Sequence, residues 1–384
     1  MKSISKKVVT GLFAGAMGLS IFAPASQAAP ANNEYTYIAL KADQHQLWDV
    51  YEGATYDNAG IRLYADAGTP DNRKFLLVPL DGGTYAIVNK NSGKPVSVGS
   101  GWVGPGIQKN DILTQQSWTG SATQQWYLRD KGNDYYEIVN QGYGKVASWG
   151  WNGVTGAASI QYVDLDDSDP SDSNRVFKIP RSWDTFSLPT LPATGTRPDA
   201  PNYTGGIDQQ LPQTSNSVVV GASLIPSIMV KDSQASDYTK IHNSPYYTLV
   251  KEEYWDKTFS AVIPAGLTRS YTFKSGMTST DQQKMTDTLS ISVGADFGFK
   301  FKDATAAIKT SLTKTLQTEI SSTSTEASEE TVSSTVTSEP GKTTGFTEYQ
   351  LVTKYSLKRA DGSTVSDPWI VKNNKITVAR KNSI

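Results

Sequence analysis

The sequence predicts an all-β protein of two domains. Three observations carry this prediction: a period of 51 residues in the first half, a proline-rich stretch in the middle, and an unbroken alternation of apolar and polar residues near position 290. The chain has 384 residues, no cysteine and a formal net charge of −1. A chain of this length is too long for one ordinary hydrophobic core, so more than one domain is expected.

The first residues have the layout of a secretory signal. Lysines precede an apolar stretch over 8–22, and small residues end at Ala28. This pattern predicts a signal peptide over residues 1–28, cleaved near Ala28, and a mature chain that a bacterium secretes. The absence of cysteine fits bacterial export and excludes thiol chemistry. A net charge near zero gives no indication of a nucleic-acid partner.

Residues 29–183 contain a repeat. Phe75, Trp126 and Phe177 are spaced by 51 residues. The same offset relates one set of positions to another: Tyr85, Ile87, Val88, Asn89, Gly93 and Lys94 to Tyr136, Ile138, Val139, Asn140, Gly144 and Lys145. A fixed period with turn residues between short strands predicts a repeated β unit. One such unit cannot bury its own apolar face, so three copies are expected to form a barrel and its cap.

The run Gln124-Gln125-Trp126 resembles the Gln-x-Trp motif of ricin-B-type β-trefoil lectins. The resemblance implies a trefoil over this domain and a sugar pocket in its first lobe, formed by Asp49, Tyr64 and Asn72. A carboxylate and an amide suit sugar hydroxyls, and an aromatic ring suits the C–H face of a pyranose. The alternative is that Asp49 and Asn72 only stabilise turns in a trefoil that binds no sugar.

Several positions depart from the lectin pattern. Arg73 stands where the family often has Gln, and Ser97 and Ser148 replace the acidic residue in the second and third lobes. Three tryptophans are further candidate platforms for a sugar ring: Trp102, Trp149 and Trp151. The acidic run 164–172 is interpreted as a solvated surface.

Residues 184–217 are rich in Pro, Thr, Gly, Asn and Gln and have no apolar period. Proline fixes the φ angle and lacks an N–H donor. The composition therefore predicts an extended, semi-rigid linker that takes no part in a core. It places the domain boundary near residues 183–186.

From Thr288 to Phe301 every odd position is apolar and every even position is polar or glycine. A weaker alternation follows over 306–320, where Leu312, Leu316 and Ile320 also fit a short helix. The first pattern fits a half-buried soluble strand or a membrane strand that faces lipid on one side and water on the other. Each half reaches the roughly 9–11 residues that a tilted membrane strand needs. We therefore favour a membrane-inserting hairpin with a turn at 302–304, followed by Ser/Thr-rich strands.

The residues expected to face lipid share the apolar side of this hairpin: Leu289, Ile291, Val293, Ala295, Phe297, Phe299, Phe301, Ile308, Leu312, Leu316 and Ile320. An isolated hairpin would leave backbone groups unpaired in lipid, at a cost of roughly several kcal/mol each. Insertion is therefore expected only after copies assemble into a ring. Before insertion, the apolar side is expected to pack against Phe346, Tyr349, Leu351, Val352 and Tyr355.

Two further runs resemble the first part of the toxin domain in the insecticidal binary-toxin-like crystal proteins. They are residues 224–230 (Leu-Ile-Pro-Ser-Ile-Met-Val) and 245–249 (Pro-Tyr-Tyr-Thr-Leu). In that family a β-trefoil head precedes a Pro-containing linker and an aerolysin-like module, here expected at 218–384. The resemblance implies binding to gut cells, ring assembly and pore formation. The export signal is a departure, because many relatives accumulate as intracellular crystals.

Three functions follow as hypotheses. The first is a secreted insecticidal pore-forming toxin, whose partners would be a cell-surface glycan, membrane lipid and copies of itself. The resemblance leaves open whether a second toxin component is also a partner. The second is an exported lectin or adhesin without pore activity. The third, a glycan-processing enzyme, is disfavoured because the sequence has no nucleophile elbow, metal motif or phosphate loop. No cofactor, metal site or catalytic residue is predicted.

Overall fold

The computed structural model describes residues 33–65, 68–154, 159–181, 183–289, 291–293, 299–301 and 329–384. Side chains are not described for 291–293 and 299–301. The predicted signal peptide lies outside the described residues, as do Ala295, Phe297 and the second half of the predicted hairpin with Ile308, Leu312, Leu316 and Ile320.

The first domain consists of short antiparallel strands and tight turns. Its strands are β1 (Glu34–Thr36), β2 (Ala39–Leu40), β3 (Gln46–Val50), β4 (Ile61–Ala65), β5 (Phe75–Pro79), β6 (Thr84–Asn89), β7 (Val96–Gly104), β8 (Ile107–Gln115), β9 (Trp126–Asp130), β10 (Tyr135–Asn140), β11 (Val146–Trp151), β12 (Gln161–Asp166), β13 (Phe177–Lys178) and β14 (Asp184–Thr185). β14 pairs with β1, so residues 184 and 185 belong to this domain's sheet rather than to the linker.

The strands close into a barrel. β1 pairs with β5, β5 with β6, β6 with β9, β9 with β10, β10 with β13, and β13 with β2, which continues β1. Three hairpins cap it: β3–β4, β7–β8 and β11–β12. A closed barrel has no unpaired edge. This arrangement confirms the predicted threefold β-trefoil.

The 51-residue period is visible in the core. Phe75, Trp126 and Phe177 are each 0% exposed, and a short 3₁₀ turn precedes each of them. The ring of Trp48 contacts Phe75 and Phe177 edge-on, with centroids 6.0 Å and 5.4 Å apart. Each lobe thus contributes one large aromatic side chain to a shared centre, because no lobe can bury its apolar face alone.

In its described residues, the second domain combines long strands with two short α-helices. Its elements are β15 (Val218–Pro226), α1 (Asp237–Asn243), β16 (Tyr246–Ile263), β17 (Thr268–Ser275), α2 (Ser279–Leu289), β18 (Ile291–Val293), β19 (Phe299–Phe301), β20 (Glu330–Thr337), β21 (Thr344–Lys358) and β22 (Trp369–Ser383). β15, β16, β21 and β22 form one antiparallel sheet in that order. β17 pairs with β20, and β18 with β19. The predicted all-β architecture with a β-sheet C-terminal domain is confirmed, and none of the helices in the described residues is long and apolar enough to cross a bilayer.

The linker departs from its prediction because it packs on the second domain. The Trp255 Nε1–H donates to the Pro198 carbonyl at 2.7 Å, and the Tyr349 hydroxyl donates to the Pro212 carbonyl at 2.7 Å. Ala200 and Leu211 are buried in one cluster with these aromatic side chains. The expectation of a linker outside any core is therefore wrong. Proline lacks a donor but keeps its carbonyl acceptor, so an extended proline-rich segment can be bound along a sheet.

The two domains share one hydrophobic cluster. Its trefoil members include Tyr35, Leu76, Val78, Leu80, Ala86 and Val88. Its second-domain members include Ile225, Ile228, Met229, Ile241, Met285, Leu289, Tyr355 and Trp369. Both helices of the second domain thus bury apolar side chains in a core that the trefoil helps to form.

Candidate functional site

The strands β17 and β20 bracket the predicted insertion segment. They pair from Thr268 with Thr337 to Ser275 with Glu330. All of residues 276–329 therefore leave and return at one end of a two-stranded ribbon. An antiparallel pair can be extended by adding residues at its open end, since both strands already run in the directions that a longer hairpin needs.

The two faces of this ribbon differ in polarity. Tyr271 and Val336 are buried against Phe346 of the main sheet, and the rings of Phe259 and Tyr271 stack with centroids 4.2 Å apart. The other face is exposed and consists mainly of Ser and Thr: Thr268, Ser270, Thr272, Thr331, Ser333, Thr335 and Thr337. The ribbon thus has the alternation of an apolar and a hydroxyl-rich face that the sequence predicts for a membrane hairpin.

The continuous strand predicted from Thr288 to Phe301 is wrong in this structure. Thr288 and Leu289 end helix α2, where both are buried, and the Thr288 hydroxyl donates to the Lys284 carbonyl at 2.7 Å. The Thr278 hydroxyl accepts a hydrogen bond from the Asp281 N–H at 3.1 Å and caps the helix start. Burial of the apolar helix side chains against both domains outweighs the strand-like alternation, as tertiary context often does.

The predicted turn at 302–304 lies outside the described residues. Within the described residues, β18 pairs with β19, with Ile291 opposite Phe301 and Val293 opposite Phe299. An inserted hairpin with strands over 288–301 and 306–320 therefore requires this short pairing to open.

The residues predicted to store the hairpin have mostly other partners. Phe346 packs against the β17–β20 ribbon, and Tyr349 and Leu351 pack under the linker. Tyr355 is the member of that set that shares a cluster with Leu289. The expected packing is therefore wrong for Phe346, Tyr349 and Leu351. The ribbon covers one face of the sheet at Phe346, and the linker covers the opposite face at Tyr349 and Leu351.

The structure gathers the three residues predicted for the first sugar pocket. Asp49 lies on β3, and the Asn72 side chain hydrogen-bonds its carboxyl group and donates to the Val50 carbonyl at 3.2 Å. The Arg73 Nε–H donates to Asp49 Oδ2 at 2.6 Å, with both side chains nearly buried. The Tyr64 ring is 42% exposed, with the Arg73 guanidinium 5.1 Å from its centroid.

This geometry changes the roles of the predicted residues. Burial raises the pKa of the Asp49 carboxyl, while Arg73 opposes that shift. A sugar hydroxyl would have to compete with a buried ion pair for Asp49, and separating such a pair is costly. Of the three predicted residues, Tyr64 is the exposed one, with the guanidinium groups of Arg62 and Arg73 each 5.1 Å from its ring centroid. Asp49 thus positions Arg73 instead of presenting a free carboxylate.

The third lobe holds carboxylates that the sequence interpretation missed. Asp164 and Asp166 belong to β12 rather than to a solvated loop, and Asp164 pairs in register with Ser148. The Ser148 hydroxyl donates to Asp166 Oδ2 at 2.9 Å, and Arg175 lies 3.6 Å from the same oxygen. The missing acidic residue of this lobe is therefore supplied by the neighbouring strand. Strand pairing, which single-sequence spacing does not show, places it there.

Asp164 carries an unfavourable charge in the folded state. Burial, followed by the charge of Asp166, raises its pKa to about 6, and its buried Oδ1 has no hydrogen-bond partner among the described residues. Two tryptophans flank this hairpin on the opposite face: Trp149 and the 40% exposed Trp151, stacked with centroids 6.4 Å apart. Because the indole rings and the carboxylates lie on opposite faces of the hairpin, they do not form one pocket, and the exposed Trp151 ring is the group of this hairpin that suits the C–H face of a sugar.

We expect Asp164→Asn to stabilise the protein at neutral pH. A carboxyl whose pKa is raised on folding costs stability as pH rises from the unfolded value of 3.8 to about 6. At pH 7.5 the amide should increase the free energy of unfolding by about 1–3 kcal/mol. Urea unfolding at pH 7.5 and pH 4 measures this, and the gain should vanish at the lower pH. The exposed Asp169→Asn is the control, and an equal gain there would contradict the assignment.

Comparisons with known proteins agree with this architecture. Residues 218–382 match the family model described as Insecticidal Crystal Toxin, P42, and residues 71–162 match the ricin-type beta-trefoil lectin domain-like model. The binary larvicide subunit BinA of Lysinibacillus sphaericus is 37% identical over 197 residues, covering 51% of this chain and 53% of that protein. The chain thus spans about half the length of this relative. The subunit BinB of the same organism is 28% identical over 196 residues, with coverage of 51% and 44%.

Two further matches cover more of the chain. The insecticidal crystal protein Cry35Ab1 of Bacillus thuringiensis is 28% identical over 287 residues, which covers 70% of this chain and 69% of that one. The crystal structure of Cry35Ab1 superposes with a TM-score of 0.75 over 91% of this chain and 90% of that chain, at 22% identity, and shows a common fold. The chain combines a trefoil head with a β-sheet toxin domain, and the two family-model matches and the relatives support the binary insecticidal toxin family.

Proposed function

We propose that the protein is a secreted insecticidal toxin. It binds a cell-surface glycan through its trefoil, assembles with copies of itself and inserts residues 288–320 into the target membrane as a β-hairpin. The observation that carries the proposal is the β17–β20 ribbon, whose two strands bracket the amphipathic segment and have matching apolar and Ser/Thr faces. The family's curated members include larvicide and insecticidal crystal proteins, which supports an insecticidal role.

The trefoil's exposed aromatic side chains support a binding role. Tyr64, Trp102 and Trp151 are each 40–42% exposed and lie on the three different cap hairpins. Large exposed aromatic rings near polar groups suit saccharide binding, since a ring stacks on the apolar face of a sugar. Two matched relatives are named subunits of a binary larvicide, so a second protein component is a further proposed partner.

Release of a trapped dye from lipid vesicles tests the proposal. The purified chain, with and without trypsin treatment, is added to vesicles that contain gut lipid extract. A pore-forming toxin releases the dye and leaves ring-shaped particles in electron micrographs. Binding to glycan-coated beads without any dye release, even with a second component added, would instead favour the lectin or adhesin alternative.

A further inference from the structure

A trefoil turn makes close contact with helix α1 of the second domain. Gly93 follows β6 with φ +72°, and a Cβ there would overlap the Asp237 carbonyl oxygen. The same Cβ would lie 2.9 Å from the Asp237 carbonyl carbon and 3.2 Å from the Ile241 Cβ. These are backbone and Cβ atoms that no rotamer change can move. Only glycine therefore allows α1 to approach the trefoil this closely.

The next residue joins the two domains by charge. The Lys94 Nζ lies 2.8 Å from an Asp57 carboxylate oxygen, 2.8 Å from the Ser117 hydroxyl and 3.3 Å from Asp237 Oδ2. Lys94 is only 9% exposed. Removing this buried ammonium takes away the cation that Asp57 of the trefoil and Asp237 of α1 share, although Asp57 keeps its Ser117 hydrogen bonds and Asp237 keeps Lys240. The Lys94 contact is therefore coupled to domain docking.

The contacts continue from α1 to the end of α2. Asp237 also pairs with Lys240 at 2.8 Å, and the Lys240 Nζ donates to the Ser227 and Val230 carbonyls at 3.1 Å and 2.8 Å. The Lys231 N–H then donates to the Thr288 carbonyl at 2.8 Å. Thr288 lies in the last turn of α2, directly before the predicted insertion segment. A short series of contacts thus connects the trefoil surface to the point where that segment begins, with Lys240 buried and Asp237 partly exposed.

Apolar contacts also join the trefoil to helix α2. Met285 is 0% and Leu289 is 3% exposed, and both belong to the cluster that includes Leu76, Val78 and Leu80 of the trefoil. If the trefoil moved away, this cluster would be opened to water and α2 would lose part of its burial. The helix is short, and helices of this length depend on tertiary packing for their stability.

We propose that the docked trefoil is a lock on α2. Contact of Gly93 and Lys94 with α1, together with the shared apolar cluster, holds α2 folded up to Leu289, where the segment proposed to insert begins. Separation of the domains then precedes release of the segment, so a receptor or partner that displaces the trefoil triggers insertion. The inference rests on the proposed function, because it assigns insertion to that segment.

The repeat supplies a matched pair of variants. Gly144 is the equivalent of Gly93 in the second lobe, with φ +69°, and a Cβ added there would have no atom within 4 Å. Gly93→Ala and Gly144→Ala therefore carry the same backbone strain, and only the first clashes with α1. Lys94→Ala and Lys145→Ala form a second pair, since Lys145 is 47% exposed and lies 3.8 Å from Asp167.

Hydrogen–deuterium exchange of peptides that cover residues 279–289 is the measurement. We expect exchange about tenfold faster or more in Gly93→Ala and Lys94→Ala, since local opening frees the helix amides. Gly144→Ala and Lys145→Ala should exchange α2 at the parent rate. Equal α2 exchange within each pair would overturn the lock. If Gly93→Ala does not fold, the lysine pair decides the question alone.

Dye release from vesicles separates this inference from the proposed function. The lock predicts faster release by Gly93→Ala than by Gly144→Ala. Faster α2 exchange with no release by any variant or by the parent would reject pore formation and leave the lock standing. Release by the parent with equal α2 exchange in both glycine variants would reject the lock and leave pore formation standing.

Discussion

Replacing Val293 or Phe297 with aspartate should abolish dye release from vesicles while binding to target cells is retained. Both residues lie on the apolar side of the alternation, which faces lipid in the proposed hairpin. A charged side chain on the lipid face of a β-barrel costs roughly 2 kcal/mol per copy near the bilayer midplane. Every subunit of a ring repeats that cost, so the effect should be a loss of at least a hundredfold in release rate.

The adjacent polar position provides the control. Ser292→Asp introduces the same charge on the side that faces the water-filled lumen, and we expect it to release dye within a fewfold of the parent rate. Cell binding, followed with a fluorescent label, should be unchanged in all three variants because the trefoil is untouched. Release by Val293→Asp at the parent rate would show that this side does not meet lipid.

Arg359→Ala should destabilise the fold by about 3–5 kcal/mol, because it leaves a buried carboxylate unpaired. Arg359 Nε and Nη2 donate to the two oxygens of Asp232 at 2.7 Å and 2.8 Å, and the Tyr247 hydroxyl donates at 3.0 Å. The Asp232 side chain is 0% exposed. Burial pushes the pKa of Asp232 upward, but the Arg359 hydrogen bonds and charge hold it below its usual range.

Urea unfolding at several pH values measures the effect. In the parent, a depressed pKa contributes stability that is present above pH 3.8 and lost as pH falls. In Arg359→Ala the unpaired Asp232 is costly only while ionised, so the deficit should shrink below about pH 4. Lys354→Ala is the control, since its pair with Glu252 is partly exposed at 2.7 Å and is worth at most about 1 kcal/mol. Equal small losses in both variants would contradict this account.

The trefoil was predictable because its information is periodic. Phe75, Trp126 and Phe177 recur at a fixed spacing, and a repeated β unit with three central aromatic residues has few ways to bury them. The sugar pocket was less predictable. The resemblance to ricin-B-type lectins indicated Asp49, Tyr64 and Asn72, but not the Arg73 ion pair or the carboxylates that β12 places beside Ser148. Those depend on strand pairing, which a single sequence does not specify.

The structure of the proposed insertion segment, unlike that of the trefoil, did not follow from its sequence pattern. Its alternation specifies which side is apolar, but Thr288 and Leu289 belong to helix α2, and β18 pairs with β19. The proposed function gives this segment two structures, one in the free protein and one in a membrane. The alternation of apolar and polar residues suits a membrane strand, whereas the packing of α2 against both domains determines the structure of the free protein. The linker differs for a similar reason: its composition predicts an extended chain, and the exposed face of the sheet determines where that chain packs.

The most direct test of the central claim places a polarity-sensitive fluorophore on single cysteines at successive positions over 291–301 and 306–320. The chain has no cysteine of its own, so each label is unique. In the presence of vesicles, we predict emission that alternates between lipid-like at the apolar positions and water-like at their neighbours. Emission without alternation, or unchanged from the protein in buffer, would show that the segment does not enter the membrane as a β-hairpin.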